Sequence, residues 1–251
     1  MTKKVYIDPG HGGSDPGAVK YIKEKDANLN ISIGCRDYLK KFGVSVKMSR
    51  TGDISKSITT RANEANKWDA DVVVSIHNNA GGGDGFEVLH SVVGGEGKKL
   101  AKAIETRVKK IGQNSRGLKT RKGEGGTDYF GMIRLPKAPA VICECAFVDN
   151  KKDVQIVDTV AEQKAFGVAI AKGILDYFGI KSQSAPASGG TSFKVKVTVD
   201  ALNIRTGAGT RYTKVGTIRD KGIYTIVEKK SNWGKLKSGE GWICLDYTKR
   251  V

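Results

Sequence analysis

Across the first two thirds of the chain, short apolar runs alternate with longer stretches whose apolar positions recur at helical spacing. Val5–Asp8 reads as a strand; after a Pro-Gly break, Asp26 is placed to cap a helix whose Leu29, Ile33 and Leu39 fall near one face before Gly43 ends it. Val44–Ser49 is a second strand and Ser57–Trp68 a second helix. Asp71–His77, with three consecutive valines, has the composition of a strand buried on both faces. A strand at Phe86–His90, a helix at about 97–111, strands near Phe130–Ile133 and Ala140–Val148, and a helix at about 161–178 complete the series. This alternation predicts an α/β fold, a mostly parallel twisted sheet flanked by helices. In such sheets ligands gather beyond the carboxyl ends of the strands.

The pattern then breaks. Residues 182–192 contain nothing larger than Gln and no charge, the composition of a flexible linker, so the chain reads as a domain over 1–181, a tether, and a module over 193–251. In the module Phe193, Val195, Val197 and Val199 alternate with Lys194, Lys196 and Thr198, a strand with one wet face. Short strands at Ala201–Arg205, Lys214–Ile218, Ile223–Lys229, Gly234–Lys237 and Gly241–Cys244, separated by turn residues, predict a small all-β barrel.

Charge narrows the partners. With 43 basic and 26 acidic side chains among 251 residues the chain carries +17, which suits nucleic acid, anionic lipid or an anionic cell-wall polymer, or serves only to keep the surface soluble. Residues 1–181 hold 30 basic and 21 acidic groups, net +9, and residues 182–251 hold 13 and 5, net +8. The small module is therefore the more basic per residue, as a binding module would be. Cys35, Cys143, Cys145 and Cys244 lack paired C-x-x-C spacing, which argues against a zinc ribbon or a disulfide framework. No apolar run is long enough to span a membrane, and the first strand leaves no room for a signal peptide.

Two of the three histidines follow β runs. His11 lies in Asp8-Pro9-Gly10-His11-Gly12-Gly13 and His77 in Ser75-Ile76-His77-Asn78-Asn79, so a parallel sheet brings them to one edge, with Glu24 just ahead of the first helix. Two imidazoles and a carboxylate suit catalytic zinc, although the spacing is unspecific: His11 also reads as a loop histidine bonded to backbone, and Glu24 as a solvated charge. Glu144 stands inside the apolar run Val141–Val148, where an ionised carboxylate is costly unless paired or bound. Either it pairs with an arginine such as Arg61 or Arg50, or its pKa is raised and it serves as a general base.

These pieces carry a resemblance. Asp8-Pro9-Gly10-His11-Gly12-Gly13 with Asp15-Pro16-Gly17-Ala18, Glu24-Lys25-Asp26 with Asn28-Leu29, Ser49-Arg50-Thr51-Gly52-Asp53, Arg61 with Ala65-Asn66, Ser75-Ile76-His77 with Asn79, and Glu144 with Phe147 and Asn150 run in order along residues 1–180. That region resembles the zinc-dependent N-acetylmuramoyl-L-alanine amidases of the amidase 3 type, which cut the amide between the lactyl group of N-acetylmuramic acid and the L-Ala of the stem peptide. The resemblance implies a phosphorylase/hydrolase-like α/β fold, zinc on His11, Glu24 and His77, Glu144 as catalytic carboxylate, and Asn79 as a supporting neighbour. The flanking Cys143 and Cys145 depart from the pattern in packing. The module, through Ala201–Gly207, Gly216–Ile218, Asn232–Leu236 and Gly241–Ile243, resembles a bacterial SH3 domain of the kind that holds an enzyme at peptidoglycan. Tyr212, Trp233 and Tyr247 are then candidates for a wall-binding groove, with Trp242, Ile204 and Leu202 in the core.

The reading that follows is a peptidoglycan hydrolase of phage-endolysin type, made in the cytoplasm and released to the wall through a holin-type pore, with a mother-cell autolysin as the nearest variant. Its partners are peptidoglycan and anionic wall polymers. A nucleic-acid or phosphoester enzyme lacks a carboxylate cluster suited to two magnesium ions, and a wall adhesin with a dead enzyme domain is at odds with the complete set of site residues. Deleting residues 182–251 is expected to weaken co-sedimentation with walls while cleavage of soluble muropeptides persists; equal sedimentation would count against the module's role.

Overall fold

The computed structural model describes residues 2–181 and 192–251. The tether read at 182–192 lies, apart from Ser192, outside the described residues. The chain divides into two compact units, Met1–Ser182 and Gln183–Val251.

In the first unit, strands β1 (Lys4–Pro9), β2 (Ser45–Met48), β3 (Val72–Asn79), β4 (Phe86–His90), β5 (Ser115–Lys119) and β6 (Ala140–Phe147) form one sheet in the order β2-β1-β3-β6-β4-β5. Every neighbouring pair is parallel except β4 with β6, so the mostly parallel sheet expected from the alternation is what forms. Helices α1 (Glu24–Lys40), α3 (Gly95–Lys109) and α5 (Val160–Tyr177) cover one face; α2 (Ile58–Lys67) and the short α4 (Gly131–Arg134) cover part of the other.

Period-two alternation assigns the strand residues to these layers. Val5 and Ile7, Val72, Val74 and Ile76, and Val141, Cys143 and Cys145 enter the core under α1, α3 and α5. The helices approach closely there: a Cβ on Gly167 would lie 1.9 Å from the Ile31 carbonyl oxygen. Tyr6, Val73 and Ile142 point the other way, against Ala62 and Ala65 of α2 and Met132 of α4. Further along the same strands and on this second face come Asp8, Ser75, His77 and Glu144, all polar. The apolar half lies under helices, and the polar half is left for a site.

Local structure departs from expectation in particular places. Helix α1 begins at Glu24, with Lys23 in the cap position, and Asp26 lies in the first turn, where its charge complements the helix dipole. Its buried stripe is Ala27, Ile31, Cys35, Tyr38 and Leu39, while Leu29 and Ile33 are only partly buried. Gly131–Arg134 is a helical turn and no strand: so short an apolar run carries no period, and packing of Met132 and Ile133 beside α2 decides its form. Strand β5 escapes sequence reading because Ser-Arg-Gly-Leu-Lys holds one apolar residue and lies at the sheet edge.

The second unit is an antiparallel sheet of β7 (Phe193–Val197), β8 (Leu202–Arg205), β9 (Lys214–Ile218), β10 (Ile223–Lys230), β11 (Trp233–Leu236), β12 (Trp242–Cys244) and β13 (Thr248–Arg250), ordered β13-β7-β10-β11-β12-β8-β9. Val195, Val197, Leu202, Ile204, Ile226, Leu236 and Ile243 form its core. Trp242 does not join them: it is only half-buried, with the Lys235 ammonium 6.0 Å from its ring centroid. Among the described residues no helix is long and apolar enough to cross a membrane.

One buried ion pair ties the first unit together beneath its polar edge. Asp8 Oδ1 lies 2.7 Å from Arg61 Nη1, with both side chains at or below 6% exposure. Ser49 and Ser75 donate to the two Asp8 oxygens at 2.6 and 2.7 Å, so β1, the end of β2, β3 and α2 all meet at this carboxylate. Burial alone would push the Asp8 pKa up, but Arg61 and the two serines outweigh it and hold the carboxyl below its usual value. Removing one partner strands the other charge in the interior, so Asp8→Ala and Arg61→Met are each expected to cost about 3–5 kcal/mol of stability, read as a lower urea midpoint.

Candidate active site

The loop after β1 is shaped around His11. A Cβ on Gly10 would lie 2.2 Å from the His77 ring, and one on Gly17 would lie 2.5 Å from Glu24 Oε2, so only glycine admits the three side chains at this spacing. His11 itself has φ 60°, a left-handed conformation that costs a non-glycine residue free energy. Bonds to the loop's carbonyls hold it: Arg61 donates to the His11 oxygen at 2.8 Å, and Arg50 to those of Pro9 and Gly10 at 3.0 and 2.9 Å.

Glu24, at the start of α1, is where the cluster converges. Its Oε1 lies 3.1 Å from His11 Nε2 and 3.1 Å from His77 Nδ1, and the two rings meet nearly edge-on with centroids 4.9 Å apart. One potential ligand atom from each of the three residues falls within 4.8 Å of the others. The carboxylate is fixed from behind, since Ala18 N–H donates to Oε2 at 2.8 Å and Asn78 N–H to Oε1 at 3.1 Å. Asn28, one helical turn on from Glu24, adds a bond from Nδ2 to Oε1 and accepts from the Asn78 side chain. On the far side of His11, Nδ1 lies 2.8 Å from Asp15 Oδ2.

The surroundings of the cluster favour protons on its two imidazoles. The bond to Glu24, against burial and helped by Asp15, raises His11 to about 9. Burial pulls His77 down, but Glu24 and Glu144 outweigh it and leave its pKa raised. Glu24 is held well below the carboxylate range because the two imidazoles overcome its burial. Two imidazole nitrogens and an ionised carboxylate are the donor set that a divalent transition metal prefers, and occupancy would displace these protons, so affinity falls as pH drops.

Glu144 stands directly opposite His77 in the β3–β6 register. It is half-buried and has neither ion pair nor hydrogen bond among the described residues. The alternative of an arginine partner does not hold, because Arg61 is taken by Asp8 and Arg50 by backbone carbonyls. Burial, reinforced by Glu24 and Glu87 and opposed by His77, pushes its carboxyl up to about 7, within the range of a general base. A cavity of about 200 Å³ opens beside His11 and His77, with Ile58, Phe130, Met132 and Ile142 as its apolar wall.

Asn79, the supporting neighbour that the resemblance implies, has another partner: its Oδ1 accepts from Ala80 N–H. Asn78 reaches the cluster instead, its N–H donating to Glu24 and its side-chain amide to Asn28, where the β3 register shifts between His77 and Asn79. Asp8, Asp15, Asn28 and Asn78 were not singled out as site residues from sequence. The available signals were a polar residue ending each apolar strand and an Asn four residues after Glu24 on one helix face. In the second unit, Trp233 and Tyr247 line one cavity of about 610 Å³ together with Leu202, Arg205 and Asp246. Tyr212 is not among its lining residues; its ring lies against Gly207, where a Cβ would approach it to 2.5 Å.

Comparison with known proteins identifies both parts of the chain. Residues 5–176 match the family described as N-acetylmuramoyl-L-alanine amidase, and residues 200–249 match the bacterial SH3 domain. A sporulation-specific N-acetylmuramoyl-L-alanine amidase of Bacillus subtilis (strain 168) is 35% identical over 207 residues, 79% of this chain and 78% of its own length. An endolysin of Bacillus phage SPP1 is 35% identical over 214 residues, 78% of this chain and 76% of its own. The solved catalytic domain of CwlV, an N-acetylmuramoyl-L-alanine amidase from Bacillus (Paenibacillus) polymyxa var. colistinus, matches with a TM-score of 0.64 and 29% identity over 72% of this chain and 100% of that one.

The Asp15 contact yields a direct expectation. A carboxylate on the outer nitrogen of a ligating imidazole fixes its tautomer and orientation, so Asp15→Ala is expected to weaken zinc affinity roughly 10- to 100-fold, measured by competition with a chromophoric chelator.

Proposed function

This chain belongs to the N-acetylmuramoyl-L-alanine amidase family and is a peptidoglycan amidase, and from that premise we propose that His11, Glu24 and His77 hold a zinc ion with Glu144 as the catalytic carboxylate. The observation that carries this is the convergence of three ligand atoms within 4.8 Å beside a carboxylate that no cation pairs. The donor set fits zinc, and Gly10 and Gly17 leave the space that the three side chains need to converge. When bound, zinc supplies a Lewis acid that polarises the scissile carbonyl and makes water more acidic.

The chain's own residues do the rest. Glu144, ionised above about 7, takes the proton of the attacking water, keeps it on its carboxyl group, and passes it to the departing L-Ala amine. Neighbouring strands stand about 4.8 Å apart, so the His77–Glu144 register sets this base one strand spacing from the cluster. Asp15 orients His11, while Asn28 and Asn78 stop Glu24 from swinging towards the base.

The SH3-type module, with the higher excess charge per residue, holds the enzyme on the wall through peptidoglycan and its anionic polymers, an attraction that salt weakens. Similarity to a phage endolysin supports a role in lysis, with release through a holin-type pore. Similarity to a sporulation-specific amidase supports the second reading, a mother-cell autolysin, and the two separate on whether expression follows phage induction or sporulation.

Purified Gram-positive walls should clear in turbidity assays, stop clearing with EDTA, recover with zinc, and show new L-Ala amino termini; any other terminus, or new reducing sugars, overturns the assignment. Replacing the base removes its share of catalysis, so Glu144→Gln is expected to retain zinc and lose about 10²- to 10⁴-fold in rate. The wild-type rate should fall on the acid side as Glu144 is protonated. A Glu144→Gln protein that keeps both zinc and the parental rate would sink the proposal.

A further inference from the structure

The row of polar side chains does not end at Glu144. Glu87 of β4 is directly opposite Glu144 on the same face of the sheet, and Arg116 of the edge strand β5 makes an ion pair with Glu87 through its Nε. Ser115 and Leu118 pair with Phe86 and Val88, both of the core, and two residues, Arg116 and Gly117, stand between them on β5 where Glu87 alone stands between its neighbours on β4, with Gly117 the one paired to Glu87. The register shift between Phe86 and Glu87 is therefore a bulge in β5, with Gly117 at φ 87° and its N–H bonded to Ser115 Oγ at 3.0 Å. Bulges of this kind re-aim a side chain beside a site.

The guanidinium is held on two sides and open on a third. Glu87 takes Nε, and the Phe147 ring lies under the group at 5.2 Å, itself seated where Gly83 has no Cβ. The side chain is 42% exposed, and its η nitrogens have no hydrogen-bond partner among the described residues. A guanidinium so fixed presents a planar fork that matches a carboxylate.

We propose that Arg116 anchors a carboxylate of the stem peptide, two or three residues beyond the scissile amide. The assignment rests on the amidase reading above. Two strand spacings separate β5 from β6, roughly 10 Å, and an extended peptide advances about 3.3–3.6 Å per residue. A peptide whose first amide sits at Glu144 therefore reaches Arg116 at its second or third residue. The leaving peptide runs across β4 towards the sheet edge, and the apolar cavity at Ile58 and Met132 lies on the opposite side of the cluster.

The test compares two synthetic N-acetylmuramoyl-L-alanyl peptides that differ only in whether the carboxylates beyond L-Ala are free or amidated. The wild-type enzyme is expected to favour the free acid by roughly tenfold to a hundredfold in KM. Arg116→Ala should erase that preference through KM and not kcat, and Arg116→Lys, which keeps the charge without the fork, should restore part of it. An unchanged thermal midpoint and zinc content separate this from a folding defect. Wild-type indifference to amidation, or an equal loss on both substrates in Arg116→Ala, overturns the anchor while leaving the amidase reading intact. Cleavage of neither peptide by the wild type overturns both.

Discussion

The buried Asp8–Arg61 pair is the constraint on which the rest of this domain depends. Two charges removed from water are tolerated only because each finds a complete set of partners: Asp8 accepts from Ser49, Ser75 and Arg61, and Arg61 also donates to the carbonyls of Pro9, His11 and Lys56. Those carbonyls belong to the loop that carries His11 and to the segment leading into α2. The same network that neutralises a costly carboxylate therefore fixes the backbone of the loop in which His11 adopts its left-handed conformation.

A division of labour between two faces of one sheet follows. On the side of α1, α3 and α5 the strands are apolar along their length, and helix packing is close enough to exclude a Cβ at Gly167 and Gly173. On the other side the first halves of β1, β3 and β6 are apolar beneath α2 and α4 and their second halves polar, and the antiparallel β4 follows the same division in reverse, with Leu89 in the apolar half and Glu87 in the polar one. Rigid packing on the first face lets the second expose Glu144 without a partner, since the strand holding it cannot move away to solvate it. The raised pKa of that carboxyl is a consequence of position in the sheet more than of any single neighbour.

Electrostatics inside the cluster has its own economy. Glu24 bonds to both histidines through one oxygen and is held by backbone and Asn donors through both. In the module at the other end of the chain, Trp233 and Tyr247 share a cavity, and Tyr212 does not line it.

Sequence alone determined what depends on local pattern. Period-two and helical spacing identified most strands and helices, the mostly parallel sheet and the separate all-β module, because side-chain direction in regular elements follows from backbone geometry. It also marked His11, His77 and Glu144, polar groups at or within apolar strands, and Glu24, a charge just ahead of the first helix. Tertiary structure decided everything that depends on register and on competition for partners. Only the packed fold shows that Arg61 belongs to Asp8 and not to Glu144, and that Asn78 and not Asn79 serves Glu24. Only it turns Gly131–Arg134 into a helix and places a bulge in β5 beside the Arg116–Glu87 pair. An arginine can reach several carboxylates, and a four-residue run fits two secondary structures; the choice falls to whichever arrangement leaves the fewest buried groups unpaired, a property of the whole domain.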